Sequence, residues 1–163
     1  MIVVLGENII DLIETEAERY SASLGGSPFN FAIGAAKQEV PCLYLTPVST
    51  DSYGDKFINR LTSSGAKYGL DRRSKFPSSV ALIVLGDNES PQYSLYREGI
   101  ADRDFEPLEI LNCIPEDVRF FHTGSLVLVP DELPKLIKIL DGLKSKNIKL
   151  SLDINIRANA VAN

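Results

Sequence analysis

Cysteine, histidine and positive charge are all scarce in this chain. Two of its 163 residues are cysteine, Cys42 and Cys113, and the only histidine is His122. The cysteines lie far apart and form no CxxC pair, so free thiols in a reducing compartment are expected. No HxxxH motif or Cys/His cluster points to a structural metal. His122 has no serine, cysteine or carboxylate partner close by in sequence, and reads as a core residue at a strand end rather than a catalytic base. Lys and Arg number 17 against 22 Asp and Glu, a net charge of −5. There is therefore no basic footprint for nucleic acid or an anionic membrane. No apolar run is long enough for a membrane span. Met1 leads into Ile2-Val3-Val4-Leu5-Gly6 without a basic leader, so a cytoplasmic protein is expected. Low-complexity tracts and a GxxxxGK phosphate loop are missing as well.

What remains is an ordinary globular composition, 44% hydrophobic and 24% charged, in a length that suits one domain with a real core. Apolar runs predict buried strands at 2–5, 42–48, 118–121 and 149–152. Helical periodicity predicts helices at 28–38, 54–63, 107–114 and 131–146. The first should turn Phe31, Ala32, Ala35 and Ala36 inward, and the last Leu133, Leu136, Ile137, Leu140 and Leu143. Alternating strands and helices imply a mostly parallel sheet, doubly wound and covered on both faces. Two segments break the alternation. A strand at 9–15 carries Asp11, and 80–85 with 92–97 flank the turn-rich 86–91 as a hairpin. These predict a small projecting β-sheet, with strands near 9–24 and 79–98.

The segment Gly25-Gly26-Ser27-Pro28-Phe29-Asn30-Phe31-Ala32 is the most specific local signal. Two glycines let a backbone approach a ligand closely. Ser27 suits a helix N-cap and Pro28 the first helical position. Asn30 then stands in the first turn, where an amide can both donate to and accept from a hydroxyl. Taken alone, the octapeptide reads first as a capped helix after a Gly-Gly turn, and the rest of the chain shifts the balance toward a ligand. In open α/β sheets, ligands gather at the carboxyl ends of strands. Asp11, the Gly25-Gly26 loop, the 49–54 loop, Gly124 and 153–157 all follow strands or lie on one.

In order, Gly6-Glu7 with Asp11, Gly25-Gly26 with Asn30 and Ala32, Asp51 and Gly54, Tyr96-Arg97, Ala101-Asp102, Gly124-Ser125, and Asp153 with Asn155 and Arg157 resemble the amino-terminal half of a ribokinase, or PfkB, family carbohydrate kinase. The resemblance spans essentially the whole chain. Two positions depart from it: Glu39 stands where a glycine or serine usually ends the helix, and Ser49 where a glycine precedes Asp51. The resemblance implies a ribokinase-like α/β fold with a β-sheet lid, and phosphoryl transfer from ATP, with Mg2+, to a sugar hydroxyl. It implies sugar contacts from Asp11, Gly25, Gly26, Asn30, Tyr96 and Arg97, and places Asp153, Asn155 and Arg157 near the phosphates. The context of Tyr96-Arg97 and Ala101-Asp102 is most similar to fructokinases. A 2-keto-3-deoxy acid sugar is the second substrate class, because Arg97 and Arg157 could hold a carboxylate. The family's Gly-Ala-Gly-Asp motif, which supplies the catalytic base, has no match: after Gly124 the only glycine is Gly142. A truncated kinase without catalytic residues of its own is the expectation. A non-catalytic sugar-binding module, or a homodimer joined through the lid sheet, is the alternative.

Overall fold

The structure is a computed structural model that describes residues 1–16, 19–85 and 91–155. Its centre is a five-stranded parallel sheet. The strands are β1 (Ile2–Leu5), β4 (Cys42–Tyr44), β5 (Lys67–Tyr68), β8 (Phe120–Gly124) and β9 (Lys149–Asp153), in the order β5-β4-β1-β8-β9. Successive side chains of a strand point to opposite faces. Val3 and Leu5 accordingly enter one core with Phe121 and with residues of α3 (Pro107–Asn112) and α4 (Leu133–Leu143). Val4 enters the other, with Tyr44 and residues of α1 (Ser27–Lys37) and α2 (Ser52–Ser63). A strand with both faces covered has no place for a polar residue, hence the unbroken Ile-Val-Val-Leu run.

A second sheet of four strands, β3-β2-β6-β7, comprises β2 (Ile9–Glu16), β3 (Arg19–Gly25), β6 (Ser79–Leu85) and β7 (Pro91–Tyr96). The pairs β2/β3 and β6/β7 are antiparallel, and β2/β6 is parallel. This is the projecting sheet expected from 9–24 and 79–98, although the turn at 86–90 lies outside the described residues. The doubly wound parallel sheet with a small lid stands.

Several local expectations need correction. The run 42–48 is a strand only as far as Tyr44, because its next residues turn to hold a corner. The Leu45 N–H still reaches the Val4 carbonyl at 2.9 Å, but Thr46 Oγ1 donates to the Gly6 carbonyl at 2.7 Å, and Pro47 has no N–H for a ladder. In α1 the buried residues are Pro28, Phe29, Ala32, Ile33 and Ala36. Phe31 and Ala35 are only half-buried, so the inward stripe is rotated from the one predicted. In α4 the buried line is Leu136, Ile139 and Leu143, while Leu133 and Ile137 lie on the flank at 37% and 48% exposure. Leu150 and Leu152 of β9 pair with Phe121 and Thr123, so they share the α4 face of the sheet, yet are 57% and 55% exposed.

α1 ends without a glycine, and Glu39 itself takes the left-handed conformation, at φ 61°. A side chain there costs about 1–2 kcal/mol, whereas glycine loses about 0.4–1 kcal/mol through its freer unfolded chain. Glu39→Gly should therefore raise stability by about 0.5–1 kcal/mol, a shift in Tm of roughly 2–4 °C per kcal/mol in a chain of this size. A thermal melt that falls instead would show that Glu39 makes a compensating contact.

Candidate functional site

The lid and the carboxyl ends of the parallel strands enclose a cleft of about 640 Å3. Its lid wall is a consequence of register. Asp11 of β2 pairs with Ala81 of β6, which pairs with Leu95 of β7, and Ile13, Ile83 and Tyr93 form the next row. Paired residues share a face, so Ile9, Asp11, Ala81, Ile83, Tyr93 and Leu95 line the cleft together. The wall is apolar apart from the Asp11 carboxylate and the Tyr93 hydroxyl.

Opposite stands the start of α1. Gly26, at φ 109°, is its N-cap, and a β-carbon there would lie 2.3 Å from the Glu7 carbonyl oxygen. A β-carbon on Gly25 would lie 2.2 Å from Asp11 Oδ2, so that glycine makes room for the carboxylate. Ser27 is not the cap expected of it. Its N–H donates to Glu7 Oε1 at 3.0 Å, and its hydroxyl donates to Asp153 Oδ2 at 2.8 Å. Helix capping passes from a local hydroxyl to a carboxylate twenty residues away, which sequence spacing cannot reveal. Asn30 is exposed in the first turn and lines the cleft.

The third wall follows β8 and β9. Ser125 and Asn155 both line the cleft with positive φ, 58° and 36°, a conformation uncommon for residues with side chains. Asn155 Nδ2 donates to Ser125 Oγ at 3.2 Å. Glu7 spans beneath, its Oε2 accepting the Leu126 N–H at 3.2 Å. Burial pushes the Glu7 carboxyl up from its ordinary pKa, opposed by its hydrogen bonds and the nearby Arg97 guanidinium.

Of the site residues expected from sequence, Asp11, Gly26, Asn30 and Asn155 line one cleft. Gly25 backs Asp11, and Asp153 joins through Ser27. Arg157 lies outside the described residues. Tyr96 and Arg97 are placed elsewhere. Tyr96 pairs with Val80, on the lid face opposite Asp11, and is 60% exposed. Arg97 follows the strand end and donates to Asp102 Oδ2 at 2.9 Å, with side chains 11% and 1% exposed. Its carbonyl accepts from Arg103 Nη1 at 2.8 Å, and Arg103 in turn pairs with Glu132 at 2.7 Å. Arg97 is thus engaged as the partner of a buried carboxylate. Residues missed by sequence reasoning are Glu7, Ser125, Tyr93 and Leu95. For the last two the period of two was available, but the register that carries it from Asp11 across β6 was not.

His122 is 4% exposed and stacks on Phe31, ring centroids 3.6 Å apart, with Nδ1 3.0 Å from Ser151 Oγ. It is a packed residue at the sheet's end, as expected. Among the described residues no group of three or more His, Cys, Asp or Glu side chains could hold a metal ion, and no helix is long and apolar enough to cross a membrane.

The profile of the pfkB family of carbohydrate kinases matches residues 1–159. Among curated relatives, a probable chloroplastic fructokinase-6 of Arabidopsis thaliana is 24% identical over 96% of this chain and 43% of its own length. A 5-dehydro-2-deoxygluconokinase of Bacillus velezensis is 28% identical over 96% of this chain and 50% of its own. Among solved structures, a fructokinase from Xylella fastidiosa superposes with a TM-score of 0.88 at 21% identity, covering 99% of this chain and 54% of that one. The same enzyme with bound ATP gives 0.85 at 21% identity, again over 99% and 54%. The chain spans about half the length of the relatives it matches.

Two measurements check the site's electrostatics. Arg97→Met should cost about 3–5 kcal/mol in urea denaturation, because it leaves the Asp102 carboxylate buried and unpaired. Arg97→Met combined with Asp102→Leu should recover much of that loss, and a cost under 1 kcal/mol for the single change would contradict the pairing. Burial lowers the His122 pKa from 6.5, with Asp153 acting in the other direction. The unfolded chain therefore binds the His122 proton more readily. That contribution to stability is complete above pH 6.5 and is lost as pH falls through the folded value. His122→Phe, which keeps the ring stacked, should flatten the difference curve below pH 6.5. Parallel curves for the two proteins would remove His122 from the account.

Proposed function

From the premise that this chain belongs to the pfkB family of carbohydrate kinases, we propose that its cleft binds a neutral, fructose-like ketose as the acceptor of a phosphoryl group from ATP. The observation that carries the choice of a neutral sugar is the lining of the cleft. Asp11, Asn30, Ser27 and Asn155 offer hydrogen bonds suited to hydroxyls, and among the described residues no arginine or lysine lines the cleft. A sugar acid needs a cation to offset the desolvation of its carboxylate. Of the two arginines that could hold that carboxylate, Arg97 is paired with Asp102, and Arg157 lies outside the described residues.

In this reading the chain's own residues bind and orient. Asp11 accepts from two sugar hydroxyls, Asn30 donates and accepts at the next, and the lid's apolar rows cover the carbon skeleton. Closure excludes water, which would otherwise take the phosphoryl group. ATP and Mg2+ enter this reading from the family, with Asp153, Asn155 and Arg157 as the residues of this chain assigned near the phosphates and most of the nucleotide site outside these 163 residues. The Gly-Ala-Gly-Asp base is missing from this sequence, and we infer that the 163 residues alone transfer no phosphate. We propose the lid sheet, with β3 and β7 as its outer strands, as the interface of any homodimer. A second reading, a 2-keto-3-deoxy acid sugar, draws indirect support from a relative in Clostridium tetani named 5-dehydro-2-deoxygluconokinase, 32% identical over 58% of this chain and 29% of its own. That name also denotes a keto-deoxy sugar acid, although with the ketone and the deoxy carbon at other positions.

Calorimetric titration of this chain with fructose and with a 2-keto-3-deoxy sugar acid separates the two. We expect fructose to bind more tightly. Asp11→Asn should weaken it by about 1.5–3 kcal/mol, the worth of hydrogen bonds to a charged group. Tighter binding of the acid would decide for the second reading.

A further inference from the structure

Glu7 lies between β1 and β2, is 4% exposed, and still borders the cleft. Its two carboxylate oxygens serve different segments: Oε1 accepts from the N–H of Ser27, the first residue of α1, and Oε2 from that of Leu126, in the 3-10 turn after β8. Those segments carry facing walls of the cleft, Ser27 and Asn30 on one side, Ser125 with its bonded Asn155 on the other. Apart from Glu7, the hydroxyl of Ser27 on the Asp153 carboxylate is a further bond between them, and it is exposed.

We propose that Glu7 is a positioning residue whose carboxylate sets the gap between these two walls, and with it the geometry in which they meet a bound sugar. Besides its own N–H and the Ser125 hydroxyl, the carboxylate meets two backbone N–H groups from different segments, one on each oxygen, so the span needs an acceptor on each of two atoms. A carboxylate supplies that, whereas an amide of the same length presents a donor in place of one acceptor. Aspartate keeps both acceptors but is one methylene shorter. The strained backbone of Ser125 and Asn155 fits a wall held by an external tie rather than by its own preference. The identity of the ligand rests on the sugar reading above; the tie between the walls does not.

The test compares Glu7→Gln, Glu7→Asp and Glu7→Ala in the 163-residue chain, by amide hydrogen exchange at Ser27 and Leu126 and by fructose titration. Glu7→Gln preserves volume and packing, so the variant should stay folded with a Tm lower by no more than roughly 10 °C, the cost of one unsatisfied buried N–H. Exchange at one or both amides should still quicken by about tenfold or more, and fructose affinity should fall by about tenfold, the scale of one lost charge-assisted hydrogen bond. Glu7→Asp should fail to restore either quantity, and it supplies the comparison should Glu7→Gln not fold. Wild-type exchange and affinity in the folded variants would overturn the proposal. So would affinity losses that merely track the loss of Tm across the three. If wild type itself binds no sugar, the sugar reading fails and exchange alone decides: faster exchange at these amides supports the tie, and unchanged exchange refutes it.

Discussion

The corner Gly6-Glu7-Asn8 is the constraint on which the rest of the cleft depends. The chain leaves the buried parallel sheet here and enters the lid, so any error in its direction is multiplied along β2. Side chains from β4 and the turn after it fix that direction. Tyr44 and Thr46 both donate to the Gly6 carbonyl, at 2.6 and 2.7 Å, and the Gly6 N–H returns a bond to Thr46 Oγ1 at 2.8 Å. Asn8 Nδ2 reaches Tyr44 and the Pro47 carbonyl. These groups are buried, where a lost partner costs more than a made hydrogen bond gains, and among the described residues Asn8 Oδ1 is left without one. The bonds that are made hold the corner's direction. Pro28 of α1 packs so close to Gly6 that a β-carbon there would lie 2.3 Å from its ring. Helix, sheet and lid thus meet within a few ångströms.

A second anchor holds the lid at its other root, and it works by charge. Arg97 at the end of β7 pairs with Asp102, and Arg103 holds the Arg97 carbonyl while pairing with Glu132 before α4. Burial raises the Asp102 pKa, with Arg97 and Arg103 pulling it back. Such pairs add little net stability against a well-packed apolar replacement, because desolvation consumes the attraction. Their contribution is directional. An arginine that must meet both a carboxylate and a neighbouring element permits few angles between lid and sheet.

The parallel sheet was legible from sequence because a strand buried on both faces can be built from little but Val, Ile and Leu, and β1 announces itself in four residues. The lid was legible because Asp11 and the 86–91 turn residues break the alternation of strands and helices. What stayed hidden were relations across long sequence distances. Ser27 has the chemistry of a cap, and nothing near it says that Glu7 does the capping while its hydroxyl turns to Asp153. Tyr96-Arg97 carries the stronger motif, yet strand parity gives the cleft Tyr93 and Leu95. A period of two assigns residues to faces, but which face meets the ligand depends on pairing with β2, and pairing is tertiary information.

That parity also explains why the cleft is chemically uneven. Every second residue of β2, β6 and β7 faces inward, and those that line the cleft, Ile9, Asp11, Ala81, Ile83, Tyr93 and Leu95, are apolar save for Asp11 and the Tyr93 hydroxyl. The polar groups cluster instead on α1 and the ends of β8 and β9, elements anchored in the rigid sheet. A ligand in this space meets fixed hydrogen-bonding groups from below and a mostly dry cover from above. Hydroxyls pointing down find partners that cost little to organise, because the Glu7 and Ser125 contacts already hold them. Carbon–hydrogen surface pointing up is taken out of water by Ile83, Leu95 and the Tyr93 ring. Asp11 is the carboxylate that these strands place in the cleft. The division between an apolar lid face and polar sheet ends follows from where the strands place their odd-numbered residues.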